Sequence, residues 1–221
     1  MNEIREARVA SVQAGKIRPL GPEGVPSAFV KDPVEGPVSV VAEGLALDEQ
    51  ADRRVHGGSE KAVYAYASSH YPLWASEFPE QAGAFVAGGF GENLTVDGLD
   101  ESDLCVGDVH AIGTTLLQVC QPRQPCFKLA LRFGNNRLPK AMVRNDRSGW
   151  YYRVLSPGVL QAGDRIVLVD RPLPDFPFEA LLEFLYTRGL DEASLQRVAG
   201  TELLPPELRR EARRELAARQ R

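Results

Sequence analysis

The sequence predicts a mainly β domain in residues 1–171 and a small all-α appendage of three helices in residues 172–221. Residues 8–170 consist of short apolar runs broken by glycine, proline and aspartate, a pattern typical of a β-barrel or a β-sandwich. Residues 171–177 contain three prolines in seven positions, which predicts a stiff connector. After this connector the apolar residues recur with helical spacing.

Eight apolar runs are the expected strands of the β domain. In chain order they are residues 7–13, 38–47, 62–66, 93–96, 109–112, 116–120, 150–155 and 165–169. Two of these strands follow the same dipeptide, Gly107-Asp108 and Gly163-Asp164. Glycine followed by aspartate favours a turn, so the two dipeptides predict equivalent turns.

One helix is expected to interrupt the strands. Ser68 or Ser69 can serve as its N-cap, because a serine side chain accepts a hydrogen bond from the first turn. Tyr71, Trp74 and Phe78 would then lie on one face of this helix and pack against the sheet.

The appendage is predicted from apolar periodicity and from capping residues. The first helix carries Phe178, Leu181, Leu182, Leu185 and Tyr186 on one face. Gly189 can end this helix, Asp191 can cap a second one that ends at Gly200, and Pro205 and Pro206 can begin a third. The third helix carries Leu208, Ala212 and Leu216 on one stripe. Fifty residues are few for an independent core, so we expect this unit to dock on the β domain or, in a homodimer, on a second chain.

Composition excludes several classes of protein. The 221 residues include 26 basic and 30 acidic side chains, and a net charge of −4 argues against a broad nucleic-acid surface. Three cysteines without a CxxC motif predict neither a disulfide framework nor a zinc ribbon. No apolar run approaches the ~20 residues that a membrane span needs, and the first residues do not resemble a signal peptide. We therefore expect a cytoplasmic protein without a membrane segment.

Cys126 is the candidate reactive residue. It lies between two prolines, and the neighbouring Arg123 and Lys128 would favour the thiolate over the thiol. Cys105 and Cys120 lie in apolar, strand-like runs, where a cysteine behaves as a small buried hydrophobe. Cys126 is therefore expected to react or to bind a metal, although a core thiol with satisfied contacts is the alternative.

The segment around Cys126 is strongly basic. Residues 121–153 contain eight arginines and lysines against one acid, a local excess of seven positive charges. This excess predicts a compact anionic ligand such as a phosphorylated cofactor. The alternative is a solvated loop with spaced cations.

Two glycine-containing segments complete the candidate site. In the first, His56, Gly57 and Lys61 combine hydrogen-bond donors with a flexible backbone. In the second, residues 88–95, a glycine turn leads into a strand through Glu92 and Asn93. Each segment taken alone is also compatible with an ordinary turn.

Together these three segments resemble the MOSC domain family, which is named for the C-terminal region of molybdenum cofactor sulfurases. The matching residues are His56-Gly57-Gly58 with residues 61–64, then residues 90–94, and then Gln121-Pro122-Arg123 with Pro125-Cys126 and Lys128-Leu129. The order of these motifs along the chain and the residues within them are similar to those of the YiiM-like bacterial branch, in which a small three-helix domain follows the MOSC domain. The resemblance implies a MOSC-type β-barrel in which Cys126 binds molybdenum or carries sulfur.

The resemblance also implies a cofactor and a reaction. The cofactor is the molybdenum cofactor, a molybdenum–molybdopterin with an anionic phosphate. Its expected binding residues are His56, Gly57, Lys61, Asn93, Arg123, Lys128 and Arg132. The implied reaction is the reduction of N-hydroxylated compounds, such as hydroxylamino base analogues and amidoximes, to amines. A separate flavin or iron–sulfur reductase would supply the electrons.

Two other functions remain open from the sequence. Cys126 could accept a persulfide, in which case the protein is a sulfur carrier for metal–sulfur assembly. Alternatively, the domain could bind an anionic pterin without catalysing a reaction.

Overall fold

The computed structural model of the chain describes residues 6–52, 57–186 and 190–219. The strands of these residues are β1 (Arg8–Gly15), β2 (Arg18–Leu20), β3 (Val25–Ser27), β4 (Lys31–Pro33), β5 (Val38–Val41), β6 (Gly44–Leu45), β7 (Val63–Ala67), β8 (Leu94–Asp97), β9 (Val109–Ile112), β10 (Thr115–Pro122), β11 (Trp150–Ser156), β12 (Gly158–Leu160) and β13 (Ile166–Asp170). The helices are α1 (His70–Glu77), α2 (Phe127–Phe133), α3 (Leu138–Asn145), α4 (Phe178–Tyr186), α5 (Glu192–Gly200) and α6 (Pro206–Arg219). Short 3₁₀ turns cover Ser59–Lys61, Pro79–Ala84 and Glu101–Asp103.

An eight-stranded mixed sheet dominates the fold, in the order β13-β9-β10-β11-β7-β8-β1-β4. Its pairs are antiparallel except β7 and β8, which are parallel. Parallel neighbours need a crossover connection, and α1 lies in the connection between these two strands. Smaller sheets are formed by β12, β5 and β6 and by β2 and β3.

The main sheet is not closed into a barrel, which corrects the barrel prediction. The first part of β1 meets the residues before β13 at one isolated bridge, between Arg8 and Arg165. The later part of β1 pairs with β4 instead, from Gln13 to Gly15. Ile166 donates to the carbonyl oxygen of Ala7 at 2.9 Å, but no continuous ladder joins β1 to β13 among the described residues, so the sheet remains open. The prediction of a sheet-dominated fold with a helical appendage is confirmed.

Most predicted elements are present, with shifted ends. The strand predicted for residues 38–47 is wrong, because the chain turns at Ala42 and Glu43 and forms the hairpin of β5 and β6. Helix α1 follows Ser69 as predicted, although no side-chain hydrogen bond caps it. Trp74 and Phe78 are buried. Helices α2 and α3 and the three-residue strands were not predicted.

The two Gly-Asp turns are equivalent, as predicted. Asp108 accepts a hydrogen bond from the amide of Cys105 at 2.9 Å, and Asp164 accepts one from Gln161 at 2.8 Å. Gly107 and Gly163 have φ angles of 83° and 92°, a region that favours glycine. Each turn leads into a strand of the main sheet.

The helical appendage docks on the sheet. Phe178 and Leu182 of α4 are 0% and 1% exposed and pack within the core of the main sheet. Burial of such side chains stabilises a protein by about 1.5–3 kcal/mol each. Conversely, Val106 of the β domain packs in a second apolar cluster, whose other residues come from the connector and the helical appendage. The division at residues 171 and 172 stays a prediction, and the two parts share buried residues.

The start of α5 and the end of α4 were both predicted from capping residues. The predicted cap of α5 is confirmed, since the Asp191 carboxylate accepts a hydrogen bond from the amide of Ser194 at 2.7 Å. The predicted end of α4 at Gly189 lies outside the described residues.

Among the residues described, no helix combines the length and the apolar character required to cross a membrane.

Candidate functional site

The Arg123 side chain contacts residues from both glycine-containing segments. Arg123 directly follows β10 and is 5% exposed. Its guanidinium donates to the carbonyl oxygen of Phe90, and it lies 3.5 Å from the hydroxyl of Tyr64. The same group lies 4.9 Å from the ring centre of Phe29 and 5.0 Å from that of Tyr64, which are cation–π distances. The three segments that are distant in sequence therefore meet around one buried cation.

Cys126 is the most accessible of the three cysteines. It is half-buried in an extended conformation directly before α2, whereas Cys105 and Cys120 are 6% and 0% exposed. Cys120 donates to the carbonyl oxygen of Glu60 at 2.9 Å, and burial raises the pKa of its thiol. Thiol chemistry in solution is therefore directed to Cys126 rather than to Cys120.

Cys126 lines a cleft of about 220 Å³, which we call the cysteine cleft. The cleft separates the Cys126 loop from α6. Its lining consists of Lys61, Gln121, Pro122, Arg123, Gln124, Pro125, Cys126, Tyr151, Glu207, Leu208 and Glu211. Cations therefore stand on the sheet side of this cleft and carboxylates on the helix side.

A second cleft, of about 80 Å³, adjoins the first, and we call it the lysine cleft. Its charged lining residues are Lys31, Lys61, Arg123 and Lys128, together with Asp48, Glu49 and Asp52. Lys61, Arg123 and Tyr151 line both clefts. A ligand that extends from one cleft to the other would pass along this common wall.

Lys128 is the cation of the lysine cleft that is best placed to bind an anion. The residue is 8% exposed. Within residues 6–52, 57–186 and 190–219 it forms no hydrogen bond or ion pair. The stem of the side chain is buried while its ammonium reaches the cleft, where a bound anion would meet a cation without a competing partner in the described residues. The lysine cleft is therefore suited to an anionic group.

Lys31 and Asp48 form a buried ion pair in the same cleft. Their charged atoms are 2.5 Å apart, and both side chains are 7% exposed. Asp48 also accepts from the Gly15 amide at 2.6 Å and from Asn93 Nδ2 at 2.9 Å. Burial lowers the pKa of Lys31, and Asp48 opposes this effect. Sequence reasoning missed this pair, because no local motif announces two charges that lie on separate loops.

The segment 88–95 is organised by its own polar side chains. Glu92 accepts hydrogen bonds from the amides of Gly88 and Phe90 at 2.8 and 2.9 Å. Burial raises the pKa of Glu92, while these bonds and the Tyr71 hydroxyl oppose the effect. Asn93 is 4% exposed, and its Oδ1 accepts from the Tyr64 amide at 3.1 Å. The side-chain amide of Asn93 therefore links Tyr64 to Asp48, and all three residues line the lysine cleft.

The structure brings five of the predicted site residues to the two clefts. Lys61, Asn93, Arg123 and Lys128 line the lysine cleft, and Lys61, Arg123 and Cys126 line the cysteine cleft. Gly57 and Arg132 are not in either lining, and the guanidinium of Arg132 lies 5.7 Å from the ring centre of Phe133. His56 lies outside the described residues. The roles assigned to these residues stay predictions.

The donor set fits a cofactor that brings most of its own metal ligands. Among the described residues, no group of three or more histidine, cysteine, aspartate or glutamate side chains is arranged to hold a metal ion. Cys126 offers one soft thiolate, which suits a molybdenum–sulfur centre, and Lys128 offers a cation in the lysine cleft for an anionic group. The residues therefore fit the molybdenum cofactor.

Comparison with known proteins gives a family and several relatives. The family model described as "MOSC domain" matches residues 52–167. The chain is 46% identical over 160 residues to protein YiiM of Escherichia coli, covering 72% of this chain and 71% of that protein. It is 42% identical over 166 residues to a protein of Gibberella moniliformis named "Reductase", covering 74% of this chain but 29% of the fungal protein.

Solved structures show the same architecture. The crystal structure of YiiM from Geobacillus stearothermophilus has a TM-score of 0.80 and 34% identity, with coverage of 95% of this chain and 99% of that one. YiiM from Escherichia coli has a TM-score of 0.77 and 31% identity, with coverage of 92% and 94%. The similarity therefore includes the helical appendage as well as the sheet.

Proposed function

Because the chain belongs to the MOSC domain family, we propose that it is a molybdenum-cofactor-dependent reductase of N-hydroxylated compounds, with Cys126 as the protein ligand of the metal. One observation carries the proposal. A half-buried thiol and an ammonium that has no partner among the described residues line two adjoining clefts that share Arg123. This is the combination that a molybdenum–sulfur centre with an anionic tail needs.

The residues of the lysine cleft would bind the anionic part of the cofactor. Lys128 would compensate its negative charge, and the Lys31–Asp48 pair would hold the opposite wall in position. Arg123 contributes positive potential, but its guanidinium is largely engaged with Phe90 and Tyr64. Lys128 is therefore expected to contribute more to affinity than Arg123.

When bound, the cofactor supplies the two-electron redox chemistry of molybdenum. In the overall reaction the N–O bond breaks, two electrons and two protons are consumed, and the products are an amine and water. The protein would hold the cofactor and the substrate in the two clefts, while the cofactor carries the difficult chemistry. The electrons must come from a separate flavin or iron–sulfur reductase.

The name of the fungal relative, "Reductase", supports a redox function, and the similarity extends over one part of that protein. The chain matches 29% of that protein, so the remaining part of the fungal protein has no counterpart in the match. A separate electron donor is consistent with this difference.

The test is the molybdenum content and the N-reduction activity of the protein purified from a host that makes the cofactor. Wild type should contain close to one molybdenum per chain and should reduce an amidoxime when a flavin reductase is added. Cys126→Ser should lose both properties. Cys105→Ser is the matched control, because Cys105 lies outside both clefts and is 6% exposed.

Three results would contradict the proposal. Unchanged turnover in Cys126→Ser would show that the thiol is not required. A metal-free wild type whose Cys126 gains one sulfur atom in mass, reversibly on reduction, would instead identify a sulfur carrier. Wild-type binding of the pterin without turnover, unchanged in Cys126→Ser, would identify a non-catalytic binding module.

A further inference from the structure

Helix α6 supplies one wall of the cysteine cleft. Glu207 and Glu211 are four residues apart, so their side chains lie on the same face of the helix, and both line the cleft opposite Cys126. Both residues are exposed, and neither forms an ion pair or a hydrogen bond with another residue of the described chain. Two carboxylates without partners therefore face the proposed reaction site.

The position of this wall is fixed by the packing of α6. Leu208 and Ala212 are 4% and 0% exposed and belong to the apolar cluster of the appendage. The loop before α6 is tied to the sheet, because Arg153 of β11 donates to the carbonyl oxygen of Leu203 at 2.9 Å. The same guanidinium pairs with Glu60, the residue before Lys61. The acidic wall is thus anchored to the sheet side of the cleft.

A third hydrogen-bond acceptor lies on the sheet side. Gln121 is 8% exposed and donates through Nε2 to the carbonyl oxygen of Glu60 at 2.9 Å. Its side-chain oxygen accepts no hydrogen bond from any residue described in the structure. This oxygen is not fully enclosed and belongs to a residue that lines the cleft, so it can accept from a ligand that brings N–H groups.

We infer that Glu207 and Glu211 bind the N–H groups of the substrate and select compounds whose reduced form is a cation of the amidinium type. The inference rests on the proposed function and assigns the specificity of the same cleft. Carboxylates form strong, paired hydrogen bonds with planar N–H donors such as amidinium and guanidinium groups. Reduction of an amidoxime produces a basic amidine that takes up a proton, so the acidic wall lies where positive charge develops.

The test is the binding of benzamidine and of benzamide to the full-length protein, measured by titration calorimetry at low ionic strength. The two probes have similar shapes, but only benzamidine is a cation. Wild type should bind benzamidine about tenfold more tightly, which corresponds to about 1.4 kcal/mol. The double variant Glu207→Gln, Glu211→Gln should reduce this preference to about twofold or less, because glutamine keeps the size of glutamate and removes its charge.

Glu202→Gln is the matched control. Glu202 is an exposed glutamate that precedes α6 and does not line the cleft, so its variant should keep the wild-type preference. An unchanged preference in the double variant, or the lack of any preference in wild type, would overturn the inference. Neither result depends on molybdenum or on turnover. Failure of the inference is therefore separable from failure of Cys126→Ser to lose activity.

Discussion

The hydroxyl of Tyr186, the last residue of α4, donates to the carbonyl oxygen of Arg123 at 2.8 Å. This bond joins the helical appendage to the backbone three residues before Cys126. Burial raises the pKa of Tyr186, so the hydroxyl remains protonated and able to donate. The appendage therefore positions the Cys126 loop as well as closing one side of the cleft.

Removing this hydroxyl in Tyr186→Phe should loosen the Cys126 loop. We expect a loss of about 1 kcal/mol in the free energy of unfolding, the usual contribution of one hydrogen bond. Alkylation of Cys126 by iodoacetamide should also become faster, as measured by mass spectrometry of the peptides. Cys120, which is fully buried, is the internal control and should stay unreactive. Equal alkylation rates of Cys126 in both proteins would show that this bond does not hold the loop.

Removing the ammonium of the lysine cleft in Lys128→Met should weaken anion binding with little effect on stability. Without a ligand, the variant should differ in stability from wild type by less than about 1 kcal/mol, because the ammonium reaches the cleft and has no ion pair to lose. Its affinity for inorganic phosphate should fall by about tenfold or more. Thermal denaturation with and without phosphate measures both effects. Lys140→Met, at an exposed position of α3, should change neither quantity.

The buried pair of Lys31 and Asp48 should be sensitive to the loss of one partner. Asp48→Asn leaves the Lys31 ammonium buried and uncompensated, and we expect a destabilisation of about 3 kcal/mol in urea denaturation. The exposed pair of Arg8 and Asp97, with side chains 61% and 47% exposed, is the comparison. Asp97→Asn should cost less than about 1 kcal/mol. Similar losses in the two variants would contradict the role of burial.

His110 should make the folded state less stable in acid. Burial lowers the pKa of His110 from 6.5 to about 4, with a further lowering by Arg171 and an opposing effect of Asp108. Between these two values the unfolded chain binds more protons than the folded chain, so this contribution is complete above pH 6.5 and is lost as the pH falls toward 4.

The measurement is urea denaturation of wild type and of His110→Gln at pH 7 and at pH 4.5. The free energy of unfolding of wild type should fall by about 2 kcal/mol more than that of the variant over this interval. The reason is that the buried His110 imidazole, which is hydrogen-bonded to Tyr152, stays neutral in the folded state of wild type while it is protonated in the unfolded state. Parallel losses in the two proteins would show that His110 titrates normally in the folded state.

The helices that pack by strong apolar periodicity were accessible from the sequence, but α2 and α3 were not. These helices have seven and eight residues, and their cations suggested a solvated loop, although Leu138, Ala141 and Met142 of α3 follow helical spacing. Their buried residues, among them Leu129, Phe133 and Met142, pack in a cluster with aromatic side chains that include Tyr66, Trp74 and Phe90. Tertiary packing, rather than local preference, therefore determines this segment.

The local charge excess of residues 121–153 lies beside the two clefts, but few of its cations line them. Several of its cations have structural partners: Arg144 and Arg147 pair with Glu77, Arg153 pairs with Glu60, and Arg137 stacks on Phe78. Of the eight basic residues, Arg123 and Lys128 line the lysine cleft. A charge count cannot separate a cation that serves packing from one that awaits a ligand, because the partners are distant in sequence.

The wall common to both clefts, formed by Lys61, Arg123 and Tyr151, has a thermodynamic consequence. If an occupant of the lysine cleft changes the position of this wall, it changes the affinity of the cysteine cleft by some factor. Linkage then requires that an occupant of the cysteine cleft change the affinity of the lysine cleft by the same factor. Retention of a cofactor and capture of a substrate are in that case one coupled equilibrium, and washing out the substrate alters how tightly the cofactor is kept.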